Sequence, residues 1–171
     1  MSWSRVIVAA ALAGQLAACG FQPLYGRQDA VTVPDEFAAI FIARIEERVG
    51  QELRNHLVNT LQPRGRVGDP LYRLEITVSE GRTSLGVRKS AFATRAALRV
   101  NASVRLYSTK TRTRVLGFNS VVRASFNIFK SEFATLMAEK DARSKAIRDI
   151  TEDIRLRVGA YLKEPTRVQG S

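Results

Sequence analysis

Apolar positions recur along this chain with two different periods, and the period changes where turn-forming residues stand. Phe37 to Ala43 is apolar on both faces and predicts a strand buried between layers, although periodicity alone leaves a helical start open. From Glu46 to Gln62 the period lengthens: Val49, Leu53, Leu57 and Leu61 recur every fourth residue, with Glu46, Glu47 and Glu52 early in the run. An apolar stripe with acids near its start predicts an amphipathic helix, and Pro63 and Gly65 end it. After the Asp69-Pro70 turn the period becomes two. Tyr72, Leu74, Ile76 and Val78 alternate with polar residues, and so do Leu98, Val100, Ala102, Val104 and Leu106. A third such run is Leu116, Phe118, Ser120, Val122, Ala124 and Phe126. Each predicts a strand with one wet face, and the short polar link Ser108–Arg112 makes the last two an antiparallel hairpin. Gly81–Thr94 reads either as a loop or as an irregular continuation of its neighbours. From Ser131, a candidate N-cap, the helical period returns. Phe133, Met137, Ile147, Ile150, Ile154, Val158 and Tyr161 or Leu162 mark one broad face, and Pro165 lies beyond it. The order β-α-β-β-β-α predicts an α+β two-layer sandwich. Its sheet has four strands, mainly antiparallel, with two helices on one face.

Length and charge sharpen this picture. At 171 residues the chain is sized for one domain, and its net charge of +11 attracts anionic partners without naming them. The charge is uneven. No acidic residue stands between Glu80 and Glu132, whereas the acids lie mostly on the two helices. Strict alternation on the Leu98–Leu106 strand sets Arg99 and Arg105 opposite the core face. With Arg88, Lys89, Arg95, Lys110, Arg112 and Arg114, they form a candidate anion-binding face or rim. Arginine suits phosphate because its planar fork pairs two oxygens at once. The competing readings are solvated strand residues that keep an edge from aggregating and a face packed against a partner protein.

The first residues carry their own signal. Arg5 precedes an apolar run from Val6 to Leu16, of signal-peptide length and too short to span a membrane comfortably. Leu16-Ala17-Ala18-Cys19 resembles a bacterial lipobox, in which the leader is cut before a cysteine that receives the lipid. Residues 1–18 are thus expected to be a lipoprotein signal peptide and Cys19 the lipidation site. The remaining alternative is a cleaved leader with an unmodified thiol. More than one acyl chain gives stable anchoring without a transmembrane span. Residues 19–34, with two prolines, read as a tether, residues 35–163 as the single domain, and residues 164–171 as a flexible tail.

Directly after the cysteine stands Gly20-Phe21-Gln22-Pro23-Leu24-Tyr25-Gly26. This segment resembles the mature start of the lipopolysaccharide-assembly lipoproteins, the LptE family of Gram-negative bacteria. Arg48-Val49-Gly50-Gln51-Glu52-Leu53-Arg54-Asn55-His56-Leu57 is similar to that family's first helix. The resemblance covers the leader, this helix and the order of elements after it, and it implies the same two-layer architecture. It implies a plug subunit of the outer-membrane translocon for lipopolysaccharide (LPS), whose partner is the large transport β-barrel, LptD. Gly20, where lipoproteins kept in the inner membrane often carry Asp, implies the outer membrane. The N-terminal motif is that of only part of the family, so binding residues of other members are not carried over.

Catalytic sets are not found. His56 is the only histidine and reads as a partly buried helix residue, and with Cys19 the only cysteine no His/Cys metal set can be assembled. Gly65-Arg66-Val67-Gly68 lacks the lysine and spacing of a phosphate loop, and there is no Gly-x-Ser-x-Gly elbow. A carboxylate-based hydrolase is the residual enzymatic reading. The expectation is a non-enzymatic interaction protein with no cofactor beyond the covalent lipid. It would be held on the periplasmic side of the outer membrane and bind LPS and the barrel. The alternatives are another outer-membrane lipoprotein binding an anionic envelope polymer and, disfavoured by the export signal, a nucleic-acid binder.

Overall fold

The computed structural model describes residues 33–66, 68–87 and 93–163; Cys19, the leader, Arg88, Lys89 and the tail lie outside the described residues. Helix α1 (Val33–Ala38) leads into the short strand β1 (Ile40–Ile42). Helix α2 (Glu47–Leu61) follows. The long strands β2 (Tyr72–Val87), β3 (Ala93–Ser108) and β4 (Arg114–Asn127) come next, and helix α3 (Glu132–Lys163) closes the chain. The sheet order is β1-β2-β3-β4, with β1 parallel to β2 and the other pairs antiparallel. This is the expected α+β arrangement of four strands covered on one face by α2 and α3.

The first strand is shorter than the apolar run predicts. Phe37 and Ala38 belong to α1, and only Ile40–Ile42 pair with Tyr72–Leu74. Pro34 sits in the first helical turn, where a missing N–H costs nothing, so this segment starts as helix. The corner after it is fixed from α2's end: the Gln62 side-chain amide donates to the carbonyls of Ile40 at 2.5 Å and Phe37 at 3.3 Å. The helix also begins inside the segment expected to be tether.

Gly81–Thr94 proves to be strand at both ends. Pairing of β2 with β3 runs from Tyr72↔Ser108 out to Val87↔Ala93, with residues 88–92 undescribed. Even-numbered residues of the three long strands face the helices. Leu74, Leu98, Val100, Val104 and Leu106 are buried against Leu53 and Leu57 of α2 and Ile147, Ile150 and Ile154 of α3. In α2 the stripe of every fourth residue is the buried one. Gly50, between Val49 and Leu53, is required there: a Cβ at this position would meet Ile45 Cγ2 at 2.5 Å.

Helix α3 is capped as expected, the Ser131 hydroxyl accepting the Ala134 N–H at 3.3 Å. Its buried stripe, however, begins at Ala142. Phe133 and Met137, predicted to share that stripe, are exposed at 71% and 40%. Met137 lies about 140° around the helix from the buried Ile150, whereas Phe133 is near the phase of Ile147 but lies before the buried stripe begins. No described helix is long and apolar enough to cross a membrane.

Candidate functional site

The odd-numbered residues of the long strands form a second face, which no described element covers. Its middle is neutral and polar: Thr77 and Ser79 on β2, Asn101 and Ser103 on β3, and Asn119 on β4 are mutual neighbours in the register. Arginines stand at either end of this belt.

One group collects where β3 begins and β4 ends. Arg99 is directly opposite Arg123 across the β3–β4 ladder, and Arg95 follows on the same face opposite Asn127. All three are exposed, and none has an acid across the ladder: the β2 neighbours of Arg99 and Ala97 are Gly81 and Thr83, while Asp141 and Asp149 of α3 line the same edge cleft as Arg123. Like charges directly opposite one another destabilise a sheet, so a bound anion would relieve an intrinsic repulsion here.

The other group lies about 20 Å away along β3, six residues at strand rise. Arg105 faces Glu75 on one side and Gly117 on the other. Arg114 is brought to it by an irregularity. Alternation from Leu116 would turn Arg114 toward the core, but the register shifts between Leu106 and Tyr107, and Arg114 pairs with Tyr107. Such a bulge re-aims a side chain. The aliphatic stem and guanidinium of Arg114 then lie over Gly117, 3.4 to 3.7 Å from where a Cβ would be. A methyl group at 117 would make ordinary contact with this arginine. Glu75 tempers the positive charge at this end, since it already holds Arg73 at 2.8 Å.

The predicted residues therefore divide. Arg95, Arg99, Arg105 and Arg114 share the open face. Lys110 and Arg112 stand in the exposed β3–β4 turn, Arg112 in the left-handed region at φ 57°. Arg88 and Lys89 lie outside the described residues. Arg123 and Arg73 were not among the predicted site residues. The outward orientation of Arg123 follows from the alternation of its strand, but that it meets Arg99 depends on hairpin register, which spacing does not reveal.

The face opposite is different in kind. Where β2 runs beyond the core, its inward positions are charged: Glu80 pairs with Arg143 of α3 at 2.7 Å and Arg82 with Glu139 at 2.9 Å. These acids are engaged with arginines of their own layer. Among the described residues no group of His, Cys, Asp or Glu is placed to hold a metal ion.

The fold has solved counterparts. A lipoprotein structure from Caulobacter crescentus CB15 is 24% identical, covering 78% of this chain and 97% of that one, with a TM-score of 0.63. The solution structure of an uncharacterized lipoprotein B from Nitrosomonas europaea is 13% identical, covering 81% and 94%, with a TM-score of 0.59. The rare lipoprotein B from Shewanella oneidensis is 11% identical, covering 72% and 95%, with a TM-score of 0.55. At these identities the likeness establishes the fold alone. No curated protein matches the chain. The family model described as "LptE: Lipopolysaccharide-assembly" matches residues 31–158, well over half of the sequence, and the chain belongs to that family.

Proposed function

We propose that this protein is the lipid-anchored subunit of an outer-membrane LPS translocon, and that it binds the phosphorylated head of LPS on the open sheet face. The family is one of non-enzymatic LPS-assembly lipoproteins. Within it, the observation that carries the reading is Arg99 set opposite Arg123 with no acid across the ladder from either. Two guanidiniums on adjacent strands offer a phosphate paired, charge-assisted hydrogen bonds from a surface that would otherwise repel itself. Cys19 carries the lipid, residues 19–32 connect it to the domain, and the barrel LptD is the partner.

The test is titration of the full chain with LPS. Arg99→Glu together with Arg123→Glu weakens binding by about 10- to 100-fold, the worth of one or two charged hydrogen bonds. Unchanged affinity removes this face as the LPS site. A second reading comes from the neutral belt of Thr77, Ser79, Asn101, Ser103 and Asn119, which suits the polar inner wall of a β-barrel. If the same double substitution abolishes co-purification with the barrel and spares LPS binding, the face is the barrel contact. Sedimentation with wall material in place of either outcome would favour an anionic envelope polymer as ligand.

A further inference from the structure

Charge sorts the clefts on the described surface. Asp141 and Asp149 share one with Arg123 and Lys145, Glu46 and Glu75 share a second with Arg44 and Arg105, and Glu52 and Glu80 share a third with Arg48 and Lys140. A fourth, an open cleft of about 310 Å³ between β1 and the second half of α2, carries cations alone: it is lined by Phe41, Ile42, Arg54, Val58, Gln62 and Arg66. Among the described residues neither Arg54 nor Arg66 forms an ion pair. The α2 residues one turn from Arg54 are Gly50, Gln51, Leu57 and Val58, and the acids Glu47 and Glu52 line the cleft shared with α3 instead. Asp69, the acid nearest Arg66 in sequence, does not line this one.

The cleft is also built before anything enters it. The Arg66 guanidinium lies over the Phe41 ring, 5.3 Å from its centroid, and Arg73, the ladder partner of Phe41, lies over the same ring at 5.6 Å. Stacking occupies the face of a guanidinium and leaves its edge donors free. Arg73 turns its Nε to Glu75 at 2.8 Å, whereas the edge of Arg66 has no described partner. The Gln62 amide is engaged with the Ile40 and Phe37 carbonyls and fixes the floor. Two guanidiniums, one held flat on an aromatic ring, match a planar carboxylate, which accepts paired, charge-assisted hydrogen bonds. A cleft of this size admits one side chain. Arg54 on its wall is half-buried, so a protruding side chain reaches it and a flat bilayer surface does not.

We infer that this cleft receives an acidic side chain, Asp or Glu, of the β-barrel partner. This rests on the barrel reading above and gives that interface a fixed point separate from the lipid site. β1 and β4 are opposite edges of the sheet, and the register sets Phe41 level with Tyr107, roughly 27 Å along β3 from Arg99.

Two variants of the full-length lipoprotein, expressed in cells together with the barrel, test it. Arg54→Glu with Arg66→Glu should lower the barrel recovered with the lipoprotein by at least about tenfold, and leave LPS binding by the purified lipoprotein unchanged. Arg66→Lys keeps the charge and supplies an amine. Carbodiimide, which joins a lysine to a carboxylate in direct contact, should then form an amide between position 66 and an Asp or Glu of the barrel, mapped by mass spectrometry. This second variant reads the contact even where the double reversal lowers the lipoprotein's own yield. Undiminished barrel recovery, or no position-66 adduct to the barrel, overturns the inference and leaves the barrel reading standing. Lost LPS binding with intact barrel recovery would make the anion a lipid phosphate and overturns it as well. No barrel recovered with the unaltered protein removes the barrel reading and this inference together.

Discussion

Arg143 of α3 grips Glu80 of β2 through two parallel hydrogen bonds, Nε to Oε2 and Nη2 to Oε1, each 2.7 Å. The same Nη2 reaches Glu139 one helical turn back at 3.0 Å, and Glu139 holds Arg82. This network stands where the apolar inward face of β2 gives way to charge, so it fastens the far end of the sheet to α3 beyond the core. Its members are partly buried, Arg143 and Glu80 having side-chain exposures of 25% and 23%.

Arg143→Ala should therefore be destabilising. It leaves two half-buried carboxylates without their shared partner, a loss of about 1–3 kcal/mol. Urea unfolding measures it, and combining Arg143→Ala with Glu80→Gln should cost less than the sum of the single changes. Full additivity would mean that the contact seen here contributes nothing.

Gly50 makes a second stability prediction. A methyl group at this position meets Ile45 Cγ2 at 2.5 Å and Ile45 Cβ at 3.2 Å, and Ile45 is buried with nowhere to retreat. Although alanine favours helices over glycine by nearly 1 kcal/mol, overpacking costs about 1–3 kcal/mol and should win. Thermal unfolding of Gly50→Ala is expected at a lower temperature than that of the natural chain. A rise would show that the α2 start shifts to accept the methyl.

Much of this architecture could be read in the sequence because its periods are clean. The stripe Val49, Leu53, Leu57, Leu61 and the even positions of β3 are buried as their spacing requires. What could not be read depended on partners. Phe133 lies within about 40° of Ile147 around the helix, but phase does not tell where the opposing sheet face stops being apolar. Arg114 faces out only because a register shift undoes the alternation, and Arg123 gains meaning only from standing opposite Arg99. Val33–Ala38 is helical despite the apolar run it leads into, its corner with β1 held by a glutamine from another element.

Acid should weaken the packing of α3 on β4 through Asp153. Burial opposes ionisation of this carboxyl, but hydrogen bonds from Ser120 and Arg157 and the charge of Arg157 outweigh it, and its pKa lies below the ordinary aspartate value of 3.8. A folded-state value below the unfolded one stabilises fully above about pH 4, and that stabilisation disappears as pH falls through the folded value. Asp153→Asn should remove this component, so that stability measured from pH 5 down to 2 falls less steeply than in the natural chain. Parallel curves for the two proteins would assign acid sensitivity elsewhere.

The two ends of the open face should contribute unequally to anion binding. At one end Arg95, Arg99 and Arg123 share the surface with no acid opposite them in the sheet. At the other, Glu75 stands opposite Arg105 and pairs with Arg73 at 2.8 Å, which lowers the local potential before any ligand arrives. Exposed charges about 20 Å apart lie beyond a Debye length in physiological salt, so each end acts nearly alone. Neutralising Arg99 and Arg123 to Gln should accordingly weaken LPS binding more than neutralising Arg105 and Arg114, with the gap widest at low salt. Calorimetric titration of the two double variants at two salt concentrations decides it. A larger loss from the Arg105–Arg114 pair would move the anion site to the bulged end, where the register shift brings Arg114 onto the open face over Gly117.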